Sequence, residues 1–117
     1  MHPAARAAAF ASECAARQSS FERMHDLLFD LRDSLGVLPW RTFAERSMVR
    51  DLPEFDRCMR DSIPAGSVNS DLDAARRLGA TGTPTLLIDG VRFIGSVREE
   101  TLDSLIQRAI HSAAKRR

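Results

Sequence analysis

The most constraining feature of the chain lies toward its C-terminal end, where Thr85-Leu86-Leu87-Ile88 and Val91-Arg92-Phe93-Ile94 flank Asp89-Gly90. Asp-Gly between two β-rich runs is a two-residue hairpin signal, because both central residues of a type I′ turn need positive φ. The first run shows no polar alternation. A strand of that kind is ordinarily interior, buried on both faces and paired on both edges. The sequence offers it only one neighbour, and a lone hairpin of strands this short is marginal in water. The hairpin therefore needs further strands, or a partner, to cover it.

Everything before the hairpin reads as helix. Ala7, Phe10, Ala11, Cys14 and Ala15 recur at helical spacing between about residues 2 and 18. Ser19 and Glu22 form an S-x-x-E capping box. The helix it opens is expected to bury Phe21, Met24, Leu28, Leu31 and Leu35 on one face and to stop at Gly36. Pro39-Trp40 opens a short helix through Met48. Asp51 and Glu54 form another capping pair, with Pro53 tolerated in the first turn, and Phe55, Cys58 and Met59 supply that helix's apolar side. After Pro64-Ala65-Gly66 a helix runs from about Ser67 to Leu78 and closes at Gly79. Beyond the hairpin, Ser96 and Glu99 repeat the S-x-x-E pattern, and Leu102, Leu105, Ile106, Ala109, Ile110 and Ala113 stripe a final helix. No internal repeat or low-complexity linker interrupts this order.

The totals exclude several classes. A chain of 117 residues accommodates one small domain. Lys plus Arg number 17 against 16 Asp plus Glu, a balance that gives no electrostatic reason to expect nucleic acid or an anionic membrane surface as partner. The closing Lys115-Arg116-Arg117 complements a helix C-terminus. No stretch approaches the roughly 20 apolar residues of a membrane span. The small apolar run Ala4 to Ala11 is broken by Arg6, and Glu13 before Cys14 does not resemble a lipoprotein cleavage site. It reads as an Ala-rich helix, so an export signal, if the protein has one, is expected upstream of this segment.

The run Leu78-Gly79-Ala80-Thr81-Gly82-Thr83-Pro84-Thr85, leading into a strand, Asp89-Gly90 and a second strand, resembles the cis-proline loop of DsbA-like thioredoxin-fold proteins. His2-Pro3 with the Ala-rich helix, Glu13-Cys14-Ala15, Phe21 with Met24 to Phe29, and Phe55 with Cys58 fit the same family in the same order. The resemblance covers roughly Met1 to Ile110. It implies an α/β thioredoxin-like fold of the DsbA type, present in part. Residues 1–78 would form the helical insertion and residues 79–117 the C-terminal ββα half, within one domain. The N-terminal strand, the helix bearing C-x-x-C and a second strand are not in this sequence, and their absence accounts for the orphan hairpin.

By the same resemblance Thr83-Pro84 is cis, and Thr83, Pro84 and Thr85 form a substrate-side loop that pairs with an extended peptide beside a reactive disulfide. The activity implied is thiol–disulfide exchange on protein or peptide substrates. No C-x-x-C occurs anywhere here, so this chain holds no catalytic residue for it. No cofactor or metal is implied. His2, His25 and His111 have no metal-ligand spacing, and the carboxylates are scattered over caps and helix surfaces. Cys14 and Cys58 sit on apolar helix faces. They read either as separate buried thiols or as a structural disulfide contributing about 3–4 kcal/mol by loop entropy. A reactive pair would need exposure and an electropositive setting.

Two functions from different classes follow. One is an oxidoreductase whose reactive cysteines lie upstream, leaving this portion inactive alone. The other is a non-enzymatic binding module that covers its unpaired strand edge by forming a homodimer or by associating with the missing N-terminal half. The resemblance implies an extracytoplasmic location if an upstream signal exists and a cytoplasmic one otherwise.

Overall fold

A computed structural model describes residues 2–117; Met1, where the resemblance begins, lies outside them. The elements follow in the order α1 (Ala5–Ala16), α2 (Phe21–Asp30), a 3₁₀ turn (Arg32–Ser34), α3 (Trp40–Arg46), α4 (Leu52–Arg60), α5 (Ala65–Arg77), β1 (Thr85–Ile88), β2 (Val91–Ile94) and α6 (Glu99–Lys115). The chain folds as two compact units, the first ending at Asp71 and the second spanning Leu72–Arg117, so α5 runs through the division.

In the first unit, α1 to α4 pack around Ala11, Cys14, Ala15, Met24, Phe43, Ala44, Val49, Phe55 and Cys58, all buried. Leu27, Leu28, Leu31, Leu35, Trp40 and Met59 pack against that cluster from its margin. The Cys14 and Cys58 side chains are joined in a disulfide that ties α1 to α4, with Cα atoms 5.9 Å apart. Gln18 repeats the link at the end of α1: its amide donates to the Asp51 carbonyl at 2.9 Å and accepts from the Asp51 N–H at 2.8 Å. Asp51 itself caps α4, accepting from the Glu54 N–H at 3.0 Å, with Pro53 in the first turn, as the sequence predicts.

The other two capping boxes do not form. Ser19 has φ 60 and belongs to the end of α1 instead. The Ser19 N–H donates to the Ala16 carbonyl and the Ser20 N–H to the Ala15 carbonyl, the paired bonds of a Schellman closure. Helices α3 and α4 end the same way, around Met48 (φ 61) and Ser62 (φ 49), where Val49 reaches back to Ala44 and Ile63 to Cys58. None of these three positions is glycine, so no residue-type signal marked them. Ser96 likewise lies outside α6, which begins at Glu99 after Arg98 and has no side-chain cap. Glu99 and Glu100 complement its first turn instead. Helix α2 stops at Asp30, short of the Leu35 expected from its apolar spacing, and Phe21 is 39% exposed.

The second unit has a different character. β1 and β2 pair antiparallel in the register Thr85↔Ile94 to Ile88↔Val91, joined by Asp89 and Gly90, both at positive φ. Helix α6 packs on β1, and Arg116 near its end pairs with Asp89 at 3.0 Å. No residue from 72 to 117 is buried. An open cavity of about 200 Å³ lies between the hairpin and α6, lined by Ile88, Val91, Phe93 and Leu105 among others. Ile106 and Ile110, expected in the apolar stripe, are exposed.

Two substitution series test this division of labour. Phe43→Ala or Phe55→Ala, each emptying a fully buried site, is expected to cost about 3–5 kcal/mol. Urea unfolding followed by the fluorescence of Trp40, whose ring lies 5.4 Å from that of Phe43, reads the loss. Gly66 and Gly79 are expected to respond in opposite directions to alanine. Gly66 lies in α5 with open space around a Cβ, so the change gains about 0.5 kcal/mol. Gly79 has φ +73 and the Arg92 guanidinium against it, so alanine costs about 1–2 kcal/mol. Thermal unfolding by far-UV circular dichroism should therefore rise for the first variant and fall for the second.

Candidate functional site

The loop from Leu78 to Thr85 joins α5 to β1, and its geometry is set at both ends. At the first end α5 closes around Gly79: the Gly79 N–H donates to the Arg76 carbonyl at 3.0 Å and the Ala80 N–H to the Ala75 carbonyl at 2.9 Å. Positive φ at that position suits glycine, and the absent Cβ leaves room for the Arg92 side chain. Arg92 Nη1 donates to the Leu78 carbonyl at 3.1 Å, bringing a cation from β2 to the C-terminal end of α5. Arg92 is thus a residue that positions the loop. The sequence marked only its partner, Gly79, because Arg92 otherwise reads as the polar residue of a strand.

At the second end the chain is drawn into the sheet. The Thr83–Pro84 peptide bond is cis. The Pro84 carbonyl accepts from the Gly95 N–H at 2.8 Å, extending the ladder by one bond past the end of β2. Thr85 Oγ1 donates to the Gly82 carbonyl at 2.5 Å and folds the loop back on itself. Thr83 and Pro84 are exposed and Thr85 half-buried, so these three residues lie together on an accessible surface at the head of β1. In the two-stranded sheet β1 is bonded to β2 alone, leaving its second edge open. Such an edge can accept an extended peptide through main-chain hydrogen bonds.

The disulfide belongs elsewhere. Cys14 and Cys58 lie in the core of the first unit, each 1% exposed, so a thiolate from solvent has no path to either sulfur. Of the two readings of these cysteines the structure selects the structural disulfide. His2 serves the start of α1: its Nδ1 accepts from the Ala4 N–H at 3.1 Å. His25 pairs with its neighbour Asp26 at 3.1 Å on the surface of α2. Among the described residues no three His, Cys, Asp or Glu side chains converge as metal ligands. The hydrogen bond that Arg57 donates to the Glu54 carboxylate, together with that carboxylate's charge, raises the Arg57 pKa, which keeps a surface guanidinium charged and builds no reactive group.

A family model described as Thioredoxin matches residues 2–108. The Na(+)/H(+) antiporter NhaA 3 of Salinispora tropica is 38% identical over 116 residues, covering 99% of this chain and 18% of that protein. The Na(+)/H(+) antiporter NhaA 1 of Salinispora arenicola is 35% identical over 109 residues, 93% of this chain and 17% of that protein. The Na(+)/H(+) antiporter NhaA 1 of Mycolicibacterium vanbaalenii is 35% identical over 96 residues, 80% of this chain and 15% of that protein. The chain therefore spans less than a fifth of the length of these relatives. No solved structure matches it significantly. With a family match that runs from the start of α1 through most of α6, and a mixed fold of helices and a two-stranded antiparallel sheet, the chain belongs to the thioredoxin family.

Proposed function

We propose that this chain is the helical insertion (1–78) and C-terminal ββα half (79–117) of a DsbA-type thioredoxin-like domain, and that the domain as a whole is a thiol–disulfide oxidoreductase. The observation that carries this reading is the loop Thr83-Pro84-Thr85. It is exposed, pinned between the end of α5 and the end of β2, and set at the head of a strand with one free edge. In this reading the loop aligns an extended substrate beside a C-x-x-C pair carried outside this chain. Exchange then proceeds when a thiolate attacks a disulfide sulfur, forms a mixed disulfide and expels the other sulfur as thiolate. A second thiolate resolves the mixed disulfide, so one disulfide is consumed for each one formed. The missing strands would also cover the face of residues 72–117 that lacks any buried side chain.

A second reading rests on the relatives. All three are named as sodium–proton antiporters, and each matches over 15–18% of its length. Among the described residues no helix is long and apolar enough to cross a membrane. In this reading the chain is a thioredoxin-like domain carried by an antiporter, where it binds another segment or partner without redox chemistry of its own.

Each reading has its own assay. Insulin reduction by this chain with dithiothreitol is expected at the uncatalysed rate, and turnover lost on Cys14→Ser or Cys58→Ser would overturn the oxidoreductase reading. For the second reading, removing the homologous segment from a longer antiporter is expected to change sodium–proton exchange in everted vesicles. Unchanged exchange would sink it.

A further inference from the structure

Helix α2 presents a surface that neither reading uses. Its inward side carries Met24, fully buried, with Leu27 and Leu28 packed against the core. On the outside, Phe21, His25 and Phe29 stand at successive i, i+4 positions, one above another. The Phe21 and His25 ring centroids are 5.8 Å apart and those of His25 and Phe29 5.0 Å, so the rings form one continuous ridge. All three residues are exposed, Phe29 to 63%. Single exposed apolar residues are ordinary; a ridge of adjoining aromatic rings on an outward helix face marks a contact surface.

The charge beside the ridge identifies the contact. Glu22, Asp26 and Asp30 each follow a ridge residue by one position, and at 100° per residue they form a parallel stripe of carboxylates along its flank. All three are exposed, and among the described residues Glu22 and Asp30 make no ion pair. The one fixed cation of the helix, Arg23, borders Phe21 and Glu22 at the start of the ridge, and among the described residues it makes no ion pair with the three carboxylates. Aromatic faces next to carboxylates, two of the three without an ion pair, suit a guanidinium or ammonium group, which stacks on the ring while it bonds the carboxylate. A lipid surface is a poor match, because helices that lie on membranes carry Lys and Arg beside their apolar face, the opposite sign. We infer that the Phe21–His25–Phe29 ridge with its Glu22–Asp26–Asp30 flank docks a basic amphipathic segment of a partner protein, rich in Arg or Lys and interspersed with apolar residues.

The test uses the whole chain, labelled with ¹⁵N, and a synthetic amphipathic helix of leucine and arginine as probe. Saturable shift changes are expected at the α2 amides, and a matched peptide with glutamate in place of arginine should produce none. Affinity is expected to fall about tenfold in Phe21→Ala/Phe29→Ala, and by a similar factor in Glu22→Gln/Asp26→Asn/Asp30→Asn. Raised salt should weaken the carboxylate contribution. The altered side chains are exposed, so circular dichroism should match that of the parent. The inference is overturned if the basic peptide leaves α2 unshifted, if the acidic peptide binds equally, or if both variants keep the parent affinity. Binding to phosphatidylserine vesicles in preference to the peptide would overturn it as well.

Discussion

The first unit is organised around one covalent link in its core. Cys14 on α1 and Cys58 on α4 are far apart in the chain, 44 residues, and the helices between them must close a compact loop to bring the sulfurs together. Closing that loop in the unfolded chain removes entropy worth about 4 kcal/mol at this length. The surrounding apolar contacts act on the same joint. Phe43, Phe55 and Met24 fill the space about the disulfide, and Gln18 with Asp51 repeats the α1–α4 connection on the surface. With α1 and α4 held, α2 and α3 have a fixed floor on which to lay their apolar sides.

The second unit depends on a different kind of joint, polar and local. Gly79 turns the chain out of α5, Arg92 reaches across from β2 to the Leu78 carbonyl just past that helix, and the Pro84 carbonyl takes the Gly95 N–H. These contacts set the loop before β1 without any buried side chain to help them. A unit of this size with so little burial has little hydrophobic stabilisation of its own. Its apolar residues Leu87, Val91, Ile94, Ile106 and Ile110 are exposed, and the proposed readings take the hairpin to be part of a larger sheet or interface. The two readings differ in what completes the surface.

Membership of the thioredoxin family gives the loop its context, and the relatives that the chain matches are themselves much longer proteins. The two facts are compatible. A thioredoxin-like domain within a larger protein can present its proline loop to a peptide whether or not redox cysteines stand beside it. The aromatic and acidic faces of α2 belong to the first unit, and the proline loop belongs to the second.

What the sequence determined by itself is the local chemistry. Asp89-Gly90 specified a turn with two positive φ values, Asp51 with Pro53 specified the start of α4, and Gly79 specified the end of α5. Each depends on hydrogen bonds and backbone conformations within a few residues. The apolar spacing also placed Cys14 and Cys58 on inward faces, yet left open whether they bond. Tertiary structure decided that, because only the packing of α1 on α4 brings two distant sulfurs within bonding reach. It also turned Phe21 outward, ended three helices at Ser19, Met48 and Ser62 without glycine, and seated Arg92 over Gly79. Those outcomes depend on which neighbour fills a given space, and a neighbour remote in sequence leaves no short-range pattern to read.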